Sequence, residues 1–227
     1  MVTIKYDGRL GNNIIQLLAG YVFAIKHNLR FESRDPYFEG FIDYSRCDGG
    51  DIGHGEFTID DYNFIEYLEM ERVERKSYVF KGFFQTKEFL EKYEQEIRSL
   101  LKVEHSYAGD RSVFLHYRIG DIMGTSKMMP VEYYEQALDR IDFDTGYISS
   151  DTIGHGNCQR LIEKYNLTTI SMDPMQTILY GKNFKNIVLS EGTFSWWIGF
   201  LSRDSNIICS HRKPDWHGDI FFDRWKK

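Results

Sequence analysis

Cysteine is scarce in this sequence, and it contains no long hydrophobic run. The 227 residues include three cysteines, Cys47, Cys158 and Cys209, which are far apart and form no CxxC pair. Neither a zinc knuckle nor a disulfide framework is indicated, and scattered cysteines fit a reducing compartment. No apolar stretch approaches the length of a membrane span, and Met1–Lys5 opens into a strand-like run without a signal peptide's apolar core. We therefore expect a cytoplasmic chain without a transmembrane segment.

Positive charge is also in short supply. Lys and Arg total 28 against 34 Asp and Glu, which gives a formal net charge of −6. Proteins that bind duplex DNA or RNA normally present a basic face, because neutralising phosphates supplies most of their affinity. We therefore expect no nucleic-acid partner, although a local basic pocket for one diphosphate is compatible with this balance.

Signatures of several enzyme classes are missing. The sequence has no Gly-x-Ser-x-Gly elbow and no His-Glu-x-x-His, which argues against hydrolases of those types and zincins. The turn that begins at Gly8 is neither a GxGxxG fingerprint nor a Walker loop, so dinucleotide and P-loop ATP binding are disfavoured. Asp142 and Asp144 have the spacing of a manganese-binding Asp-x-Asp, but they precede their predicted strand. We expect no metal site, and a metal-dependent transferase that uses these two carboxylates is an alternative.

The N-terminal part begins with a well-marked strand, turn and helix. Val2–Tyr6 alternates like a strand, Gly8–Asn13 forms a glycine turn, and apolar residues then recur at helical spacing to Ile25. Elements between Phe31 and Lys81 cannot be placed, apart from a short strand near Tyr78. Thereafter one helix is predicted from Thr86, its N-cap, to Leu101.

The C-terminal part alternates strands and helices. Residues 104–110 form the best candidate linker, so we divide the chain into domains 1–103 and 104–227. The alternation beyond the linker predicts an α/β fold with a parallel sheet and helices on both faces. The predicted strands are Ser112–Leu115, Gly146–Ser149, Thr168–Ser171, Asn186–Ser190 and Asn206–Cys209, and the helices lie near Val131–Ile141, Cys158–Tyr165, Met175–Tyr180 and Phe194–Leu201.

Four loops at the carboxyl ends of predicted strands carry unusual residues, and ligands of parallel sheets bind at that edge. The first loop, Gly8–Asn13, offers backbone N–H groups at a helix start. The second, His116–Asp121, contains Arg118, whose guanidinium matches a diphosphate. An Arg118–Asp121 ion pair that only rigidifies this loop is the alternative.

The third and fourth loops add polar groups. Asp151, just after the predicted strand Gly146–Ser149, could accept from a ribose hydroxyl or a base amine, or it could cap the next helix. The fourth loop, Ser190–Trp197, brings hydroxyls to a helix start, which is an anion site. Its adjacent tryptophans cannot share a helix face, so we expect one in the core and the other against the loop.

These loops, in this order, resemble the fucosyltransferase superfamily and in particular glycosyltransferase family 11, the α-1,2-fucosyltransferases. The resemblance spans nearly the whole chain, and its most specific parts are the His-x-Arg and Phe-Ser-Trp-Trp blocks. The segments that carry it are Gly8–Asn13 with Gln16 (Gly-x-Leu-Gly-Asn-Gln in the family), Gly82–Thr86 (Gly-Tyr-Phe-Gln-Ser), His116–Asp121 (His-x-Arg-Arg-Gly-Asp), Gly192–Trp197 (Ser-Thr-Phe-Ser-Trp-Trp) and Pro214–Trp216 (Pro-x-Trp).

The resemblance implies a GT-B-like α/β fold, with two Rossmann-like halves whose parallel sheets face across a cleft. It also implies an inverting, metal-independent transferase that needs no cofactor and moves L-fucose from GDP-fucose to a hydroxyl of an oligosaccharide or glycoconjugate. Domain 1–103 would bind the acceptor and domain 104–227 the donor. The arginine that grips the donor diphosphate falls on Arg118, and the hydroxyls that contact phosphate fall on Thr193 and Ser195.

We predict that Arg118 stabilises the leaving diphosphate and that Asp121, or secondly Asp7, is the general base. The predicted donor-binding residues are Gly11, Asn12, Asn13, His116, Arg118, Gly120, Asp151, Thr193, Phe194 and Ser195.

Two departures from the family pattern leave alternatives open. Ile119 replaces the family's second arginine, a variant also found in protein O-fucosyltransferases, and Glu191-Gly192 precedes the Thr-Phe-Ser-Trp-Trp run. L-Rhamnose is another 6-deoxy-L-hexose, so a rhamnosyltransferase with a different nucleotide donor is one alternative. A non-catalytic module that binds a nucleotide or carbohydrate on a degenerate transferase fold is another.

Overall fold

The computed structural model describes residues 1–47, 49, 54–210 and 218–225. Proximity of Cα atoms divides the chain into two units, with the boundary between Val103 and Glu104. Unit 1 contains Met1–Val103 and also residues 218–220, whereas the other described residues belong to unit 2. The sequence assigns everything beyond residue 103 to the second domain, so the short return of the chain near its C-terminus is a correction.

Unit 1 is built on a three-stranded parallel sheet in the order β1-β3-β2. In the register, Val2 pairs with Tyr78 and Glu56 pairs with Ser77. Short 3-10 helices cover Pro36–Phe38 and Tyr44–Arg46. The elements are β1 (Val2–Ile4), α1 (Leu10–Lys26), β2 (Glu56–Ile59), α2 (Phe64–Glu69), β3 (Ser77–Phe80), α3 (Lys87–Lys92) and α4 (Glu94–Ser99).

Helix α1 fills the core of unit 1, because its residues from Ile14 to Ala24 are all buried. Gly20 allows the helix to approach β1 closely: a Cβ at this position would lie 2.2 Å from Cδ1 of Ile4. The helix predicted from Thr86 to Leu101 is in fact two helices that meet at Tyr93, whose hydroxyl bonds to Glu69 at 2.9 Å. Thr86 caps the first of them, as predicted, by accepting from the Glu88 N–H at 3.1 Å.

Unit 2 is built on a five-stranded parallel sheet in the order β6-β5-β4-β7-β8. This arrangement confirms the predicted α/β organisation with parallel sheets. A 3-10 helix covers Gly120–Ile122. The other elements are β4 (Ser112–Tyr117), α5 (Val131–Leu138), β5 (Thr145–Ser150), α6 (Gly156–Tyr165), β6 (Thr168–Ile170), α7 (Pro174–Gly181), β7 (Asn186–Val188), α8 (Thr193–Leu201) and β8 (Asn206–Ile208).

Strand β4 lies at the centre of this sheet, and all six of its residues are buried. Val113, Leu115 and Tyr117 of this strand pack with β5, α5 and α6 in one core cluster. Helix α8 is buried on nearly every side, which is why Trp196 and Trp197 are both completely enclosed. Both tryptophans therefore lie in the core, where the sequence predicts only one of them.

Two further observations concern the helices and the cysteines. None of the helices in the described ranges is long and apolar enough to span a membrane. All three cysteines are buried free thiols.

Candidate functional site

The strand order of unit 2 reverses between β4 and β7. The chain runs outward from β4 through β5 to β6, then crosses back to β7 and continues to β8. In open parallel sheets, ligands bind outside the carboxyl ends of the two strands that flank such a reversal. The second and fourth predicted loops follow these two strands. They are in contact here, because the Arg118 N–H donates to the Ser190 hydroxyl at 3.2 Å.

The side chain of Arg118 forms an ion pair with Asp121. Its Nε donates to Oδ1 at 3.2 Å and its Nη2 donates to Oδ2 at 2.8 Å. The pair is only partly exposed, with 21% of the Arg118 side chain and 34% of the Asp121 side chain accessible. The rigidifying ion pair, which the sequence leaves as an alternative, is therefore present. Both oxygens of the predicted base Asp121 already accept hydrogen bonds from Arg118.

Asp151 anchors the backbone of the Arg118 loop. Its Oδ1 accepts from the N–H groups of Ile119 at 2.8 Å and of Gly120 at 3.0 Å. Gly120 permits this contact, since a Cβ there would lie 2.6 Å from Oδ2 of Asp151. Asp151 does not cap the following helix: the cap of α6 is His155. The predicted contact of Asp151 with a ribose or a base stays a prediction. The same carboxylate that holds the loop would make this contact.

His116 and Ser195 form a hydrogen bond with each other inside unit 2. His116 Nδ1 lies 2.6 Å from the Ser195 hydroxyl, and the Phe194 ring packs on the imidazole with a centroid distance of 4.7 Å. His116 is 6% exposed and Ser195 is completely buried. Burial lowers the pKa of His116 to about 4. The negative charge of Asp151 opposes this shift, and the positive charge of Arg118 adds to it. The sequence places the Ser195 hydroxyl on a phosphate, whereas in the structure it bonds to His116.

Helix α8 begins with a backbone conformation that requires glycine. Gly192 is its N-cap residue, with φ of 101° and ψ of 165°, a region that is essentially restricted to glycine. The next residue, Thr193, is 7% exposed, and the preceding Glu191 is 2% exposed. The first N–H groups of a helix attract anions. The start of α8 beside Arg118 therefore suits a phosphate group, although Glu191 places a buried carboxyl group in the same loop.

The first predicted loop lies in unit 1, where it contacts the Gly82–Thr86 segment. The buried Gln16 side chain joins them, because its Oε1 accepts from the Asp7 N–H at 3.1 Å and its Nε2 donates to the Gly82 carbonyl at 2.9 Å. The Gln85 amide donates to Oδ1 of Asn12 at 3.1 Å. Two motifs that are about seventy residues apart in the sequence therefore form one hydrogen-bonded edge at the carboxyl ends of β1 and β3.

Asp61 organises this edge and was not identified from the sequence. Its carboxylate accepts from the N–H groups of Phe83 at 3.0 Å and of Phe84 at 2.5 Å. Phe84 has a φ of 54°, which is uncommon for an aromatic residue, while Phe83 is 38% exposed. A strained backbone next to an exposed ring marks a candidate binding loop. The sequence around Asp61 does not indicate this role, because its partners are more than twenty residues away along the chain.

Neither asparagine of the first loop caps α1. The N-cap residue is Arg9, and its side chain forms no capping hydrogen bond. Oδ1 of Asn13 is buried and has no hydrogen-bond partner among the described residues.

Asp7, the second candidate base, is exposed. Gly11 is buried in the first turn of α1. Pro214–Trp216, the last segment of the family resemblance, lies outside the described residues.

Asp142 and Asp144 have a structural partner at the opposite edge of the unit 2 sheet. Arg111, just before β4, donates to Asp142 Oδ1 and to Asp144 Oδ1 at 2.8 Å each. Across the described ranges, no three His, Cys, Asp or Glu residues are grouped so as to hold a metal ion. The Asp-x-Asp spacing thus corresponds to an ion-pair cluster on the edge away from the switch point.

The fold resembles that of a solved glycosyltransferase. The structure of the fucosyltransferase NodZ from Bradyrhizobium aligns with a TM-score of 0.56 over 88% of this chain and 92% of that chain, at 10% sequence identity. No protein-family model and no curated protein matches the sequence. The membership of glycosyltransferase family 11 suggested by the motifs is thus not confirmed, and the chain is similar in fold to a fucosyltransferase.

Proposed function

We propose that the chain is a glycosyltransferase that takes its sugar from a nucleotide-sugar donor bound at the switch point of unit 2. The observation that carries this proposal is the position of Arg118. In a fold similar to that of a fucosyltransferase, it lies in one of the two loops where a parallel sheet binds ligands, and its backbone N–H contacts the other loop at Ser190.

The donor we propose is GDP-fucose, with its diphosphate between the Arg118 loop and the start of α8. An arginine fork and the N–H groups of a helix start both suit phosphate oxygens. Thr193 is the first residue of that helix and is our candidate for a hydroxyl contact. The NodZ resemblance and the motif order support fucose as the sugar, since both point to fucosyltransferases.

The reaction we propose is a direct displacement with inversion. An acceptor hydroxyl oxygen bonds to the anomeric carbon while the bond from that carbon to the diphosphate oxygen breaks. The nucleoside diphosphate leaves with the electron pair, and the hydroxyl proton passes to a carboxylate. Without a metal ion, Arg118 and the N-terminus of α8 would stabilise the charge on the leaving group.

Asp7 and Asp121 are the two candidate bases. The Asp121 carboxylate accepts two hydrogen bonds from Arg118, whereas the exposed Asp7 carboxylate has no hydrogen-bond partner within the described part of the chain. Comparison of Asp7→Asn with Asp121→Asn for kcat would separate them. The two-halved GT-B arrangement with a cleft, the acceptor role of the first half and the cytoplasmic location stay predictions.

A thermal-shift series tests the donor directly. A ligand that binds only the folded state stabilises it, by about 2.7 kcal/mol at a hundredfold excess over Kd. We expect GDP and GDP-fucose to raise the Tm, and UDP and UDP-rhamnose to leave it unchanged. A shift with UDP-rhamnose alone would replace fucose by rhamnose. Loss of turnover after chelation with EDTA would show that a metal ion is required.

The non-catalytic binding module is favoured by one observation, the enclosed Glu191 in the loop proposed for phosphate. Release of nucleoside diphosphate separates the two functions. A transferase releases GDP from GDP-fucose in proportion to added acceptor, here tested with a panel of oligosaccharides. Binding of GDP-fucose without release under any acceptor would support the module.

A further inference from the structure

Within the described part of the chain, the Ser195 hydroxyl has a single hydrogen-bond partner. Ser195 is completely buried in the first turn of α8, and among the described residues its oxygen bonds only to Nδ1 of His116, at 2.6 Å. The other ring nitrogen of His116, Nε2, has no partner within the described residues and is not fully enclosed. The two nitrogens of this imidazole therefore have different surroundings.

Hydrogen-bond accounting decides which nitrogen carries the proton of the neutral ring. If Nδ1–H donated to Ser195, the serine proton would be left in the core without an acceptor, which costs the full desolvation penalty of that group. If the hydroxyl donates to Nδ1, its proton is satisfied and the ring keeps its own proton on Nε2. The second arrangement leaves no buried donor unpaired.

We infer that Ser195 is a positioning residue that holds His116 as the Nε2–H tautomer, so that the ring presents a neutral hydrogen-bond donor at the carboxyl end of β4. The Phe194 ring, which packs against the imidazole at a tilt of 33°, restricts rotation of the imidazole out of this orientation. The charged groups that act electrostatically on the ring are Asp151 and Arg118. In the proposed transferase, on which this step rests, the Nε2–H would donate to an oxygen of the departing diphosphate. His116 would then not be the general base.

Nitrogen NMR of the whole chain labelled with ¹⁵N-histidine tests the tautomer. The His116 signals are identified as those that disappear in His116→Gln. We expect a protonated Nε2 and an unprotonated Nδ1 at neutral pH. A protonated Nδ1 in the wild-type protein overturns the inference. The measurement needs no substrate, so its outcome is separate from that of the proposed function.

Variants of Ser195 test whether the hydroxyl fixes the tautomer. Ser195→Ala should give a mixture of the two forms, whereas Ser195→Thr keeps a hydroxyl and should restore Nε2–H. An unchanged, pure Nε2–H spectrum in Ser195→Ala would show that another group sets the tautomer, and it would remove Ser195 from this role.

Variants of His116 test the donor role in turnover. His116→Ala removes the donor and should lower kcat about 100-fold or more, as for other groups that stabilise a developing anion. The side-chain amide of His116→Gln can donate a hydrogen bond but cannot act as a base, so this variant should recover at least about tenfold of that loss. Equal loss in both variants would contradict the donor role, even if the protein transfers fucose.

Discussion

The Arg118 guanidinium donates to both carboxylate oxygens of Asp121, from Nε at 3.2 Å and from Nη2 at 2.8 Å. A two-point contact of this kind fixes the plane of the guanidinium as well as its position. The backbone of the same loop is held separately, by Asp151 through Ile119 and Gly120. The loop that follows β4 therefore holds its only arginine in a defined orientation before any ligand arrives, which is what an anion site needs.

Arg118→Ala should lower kcat/KM for GDP-fucose by roughly 100-fold to 1000-fold, because it removes a preoriented cation from the leaving group. Arg111→Ala is the matched control. Arg111 also pairs with carboxylates, but at the amino-terminal edge of the sheet, so its loss should leave turnover unchanged. Circular dichroism would verify that both variants fold. Near-wild-type activity of a folded Arg118→Ala would place the donor elsewhere.

Asp151→Ala should destabilise unit 2, because the N–H groups of Ile119 and Gly120 lose their acceptor. An unsatisfied buried donor costs about 1–3 kcal/mol. Asp151→Asn keeps a carbonyl oxygen that can accept both bonds, so its free energy of unfolding in urea should stay near the wild-type value. If Asn destabilises the chain as much as Ala, the negative charge and not the acceptor geometry matters. Weaker nucleotide binding by a stable Asp151→Asn would support the additional donor contact.

Gly192→Ala should reduce the free energy of unfolding by about 1–3 kcal/mol, since its backbone conformation is strained for any other residue. Gly154→Ala is the control in the same unit. Gly154 has an ordinary φ, and an added Cβ there would meet nothing within 4 Å. Urea titrations of the two variants should therefore differ clearly. Similar stabilities would mean that the start of α8 can relax, and that the family's serine could occupy position 192.

The burial of His116 gives a pH-dependent term in stability. Above pH 6.5 its side chain is neutral in both the folded and the unfolded chain. As the pH falls from 6.5 towards about 4, the unfolded chain binds a proton that the folded chain excludes, so this contribution is lost. The free energy of unfolding should decline by up to about 1.4 kcal/mol per pH unit from this group. The full contribution of His116 to stability is present only above about pH 6.5.

Urea unfolding at several pH values, for wild type and for His116→Gln, isolates this term. Other groups contribute to the pH dependence of both proteins. One of them is His27, because burial lowers its pKa as well. We therefore expect the free energy of unfolding of the wild type, relative to that of His116→Gln, to fall towards acid pH and to be constant near neutrality. Parallel curves across this range would show that the folded protein accepts the proton on His116 at no cost.

The sheet of unit 2 was predictable because its strands are apolar and regularly spaced. Thr145–Ser150 and Asn186–Val188 lie within about two residues of the predicted runs, and a helix follows each of them. Strand Glu56–Ile59 was missed because it is an edge strand. Three of its four residues are exposed or half-buried, so no apolar run indicates it.

The site was predictable only as a set of loops. Strand ends identify which loops meet at the edge of a sheet, but not the direction of each side chain. Ser195 shows the limit: a hydroxyl in the first turn of a helix can face a ligand or the core, and here it faces His116. Asp61 shows another, because its role depends on Phe83 and Phe84, which the fold alone brings to it.

Asn13→Ala separates a functional from a structural role for the first loop. The structure removes the capping explanation, because the N-cap residue of α1 is Arg9 and not Asn13. Oδ1 of Asn13 is buried without a hydrogen-bond partner among the described residues, a cost that a folded chain retains when the group has another use. Alanine removes the unpaired oxygen and favours a helix, so the Tm should stay constant or rise slightly. If Asn13 contacts the sugar, the diphosphate or the acceptor, kcat should nevertheless fall, because an interaction made in the transition state is lost.

Asn12→Ala is the contrasting variant. Its Oδ1 accepts from the Gln85 amide, so its removal should cost about 0.5–1.5 kcal/mol in the free energy of unfolding. Steady-state kinetics and thermal melts on both variants give a two-by-two comparison. A stable Asn13→Ala with reduced kcat, beside a destabilised Asn12→Ala, is the expected result. Wild-type kcat in Asn13→Ala would remove this residue from the site, and the buried oxygen would then be a tolerated defect of the helix start.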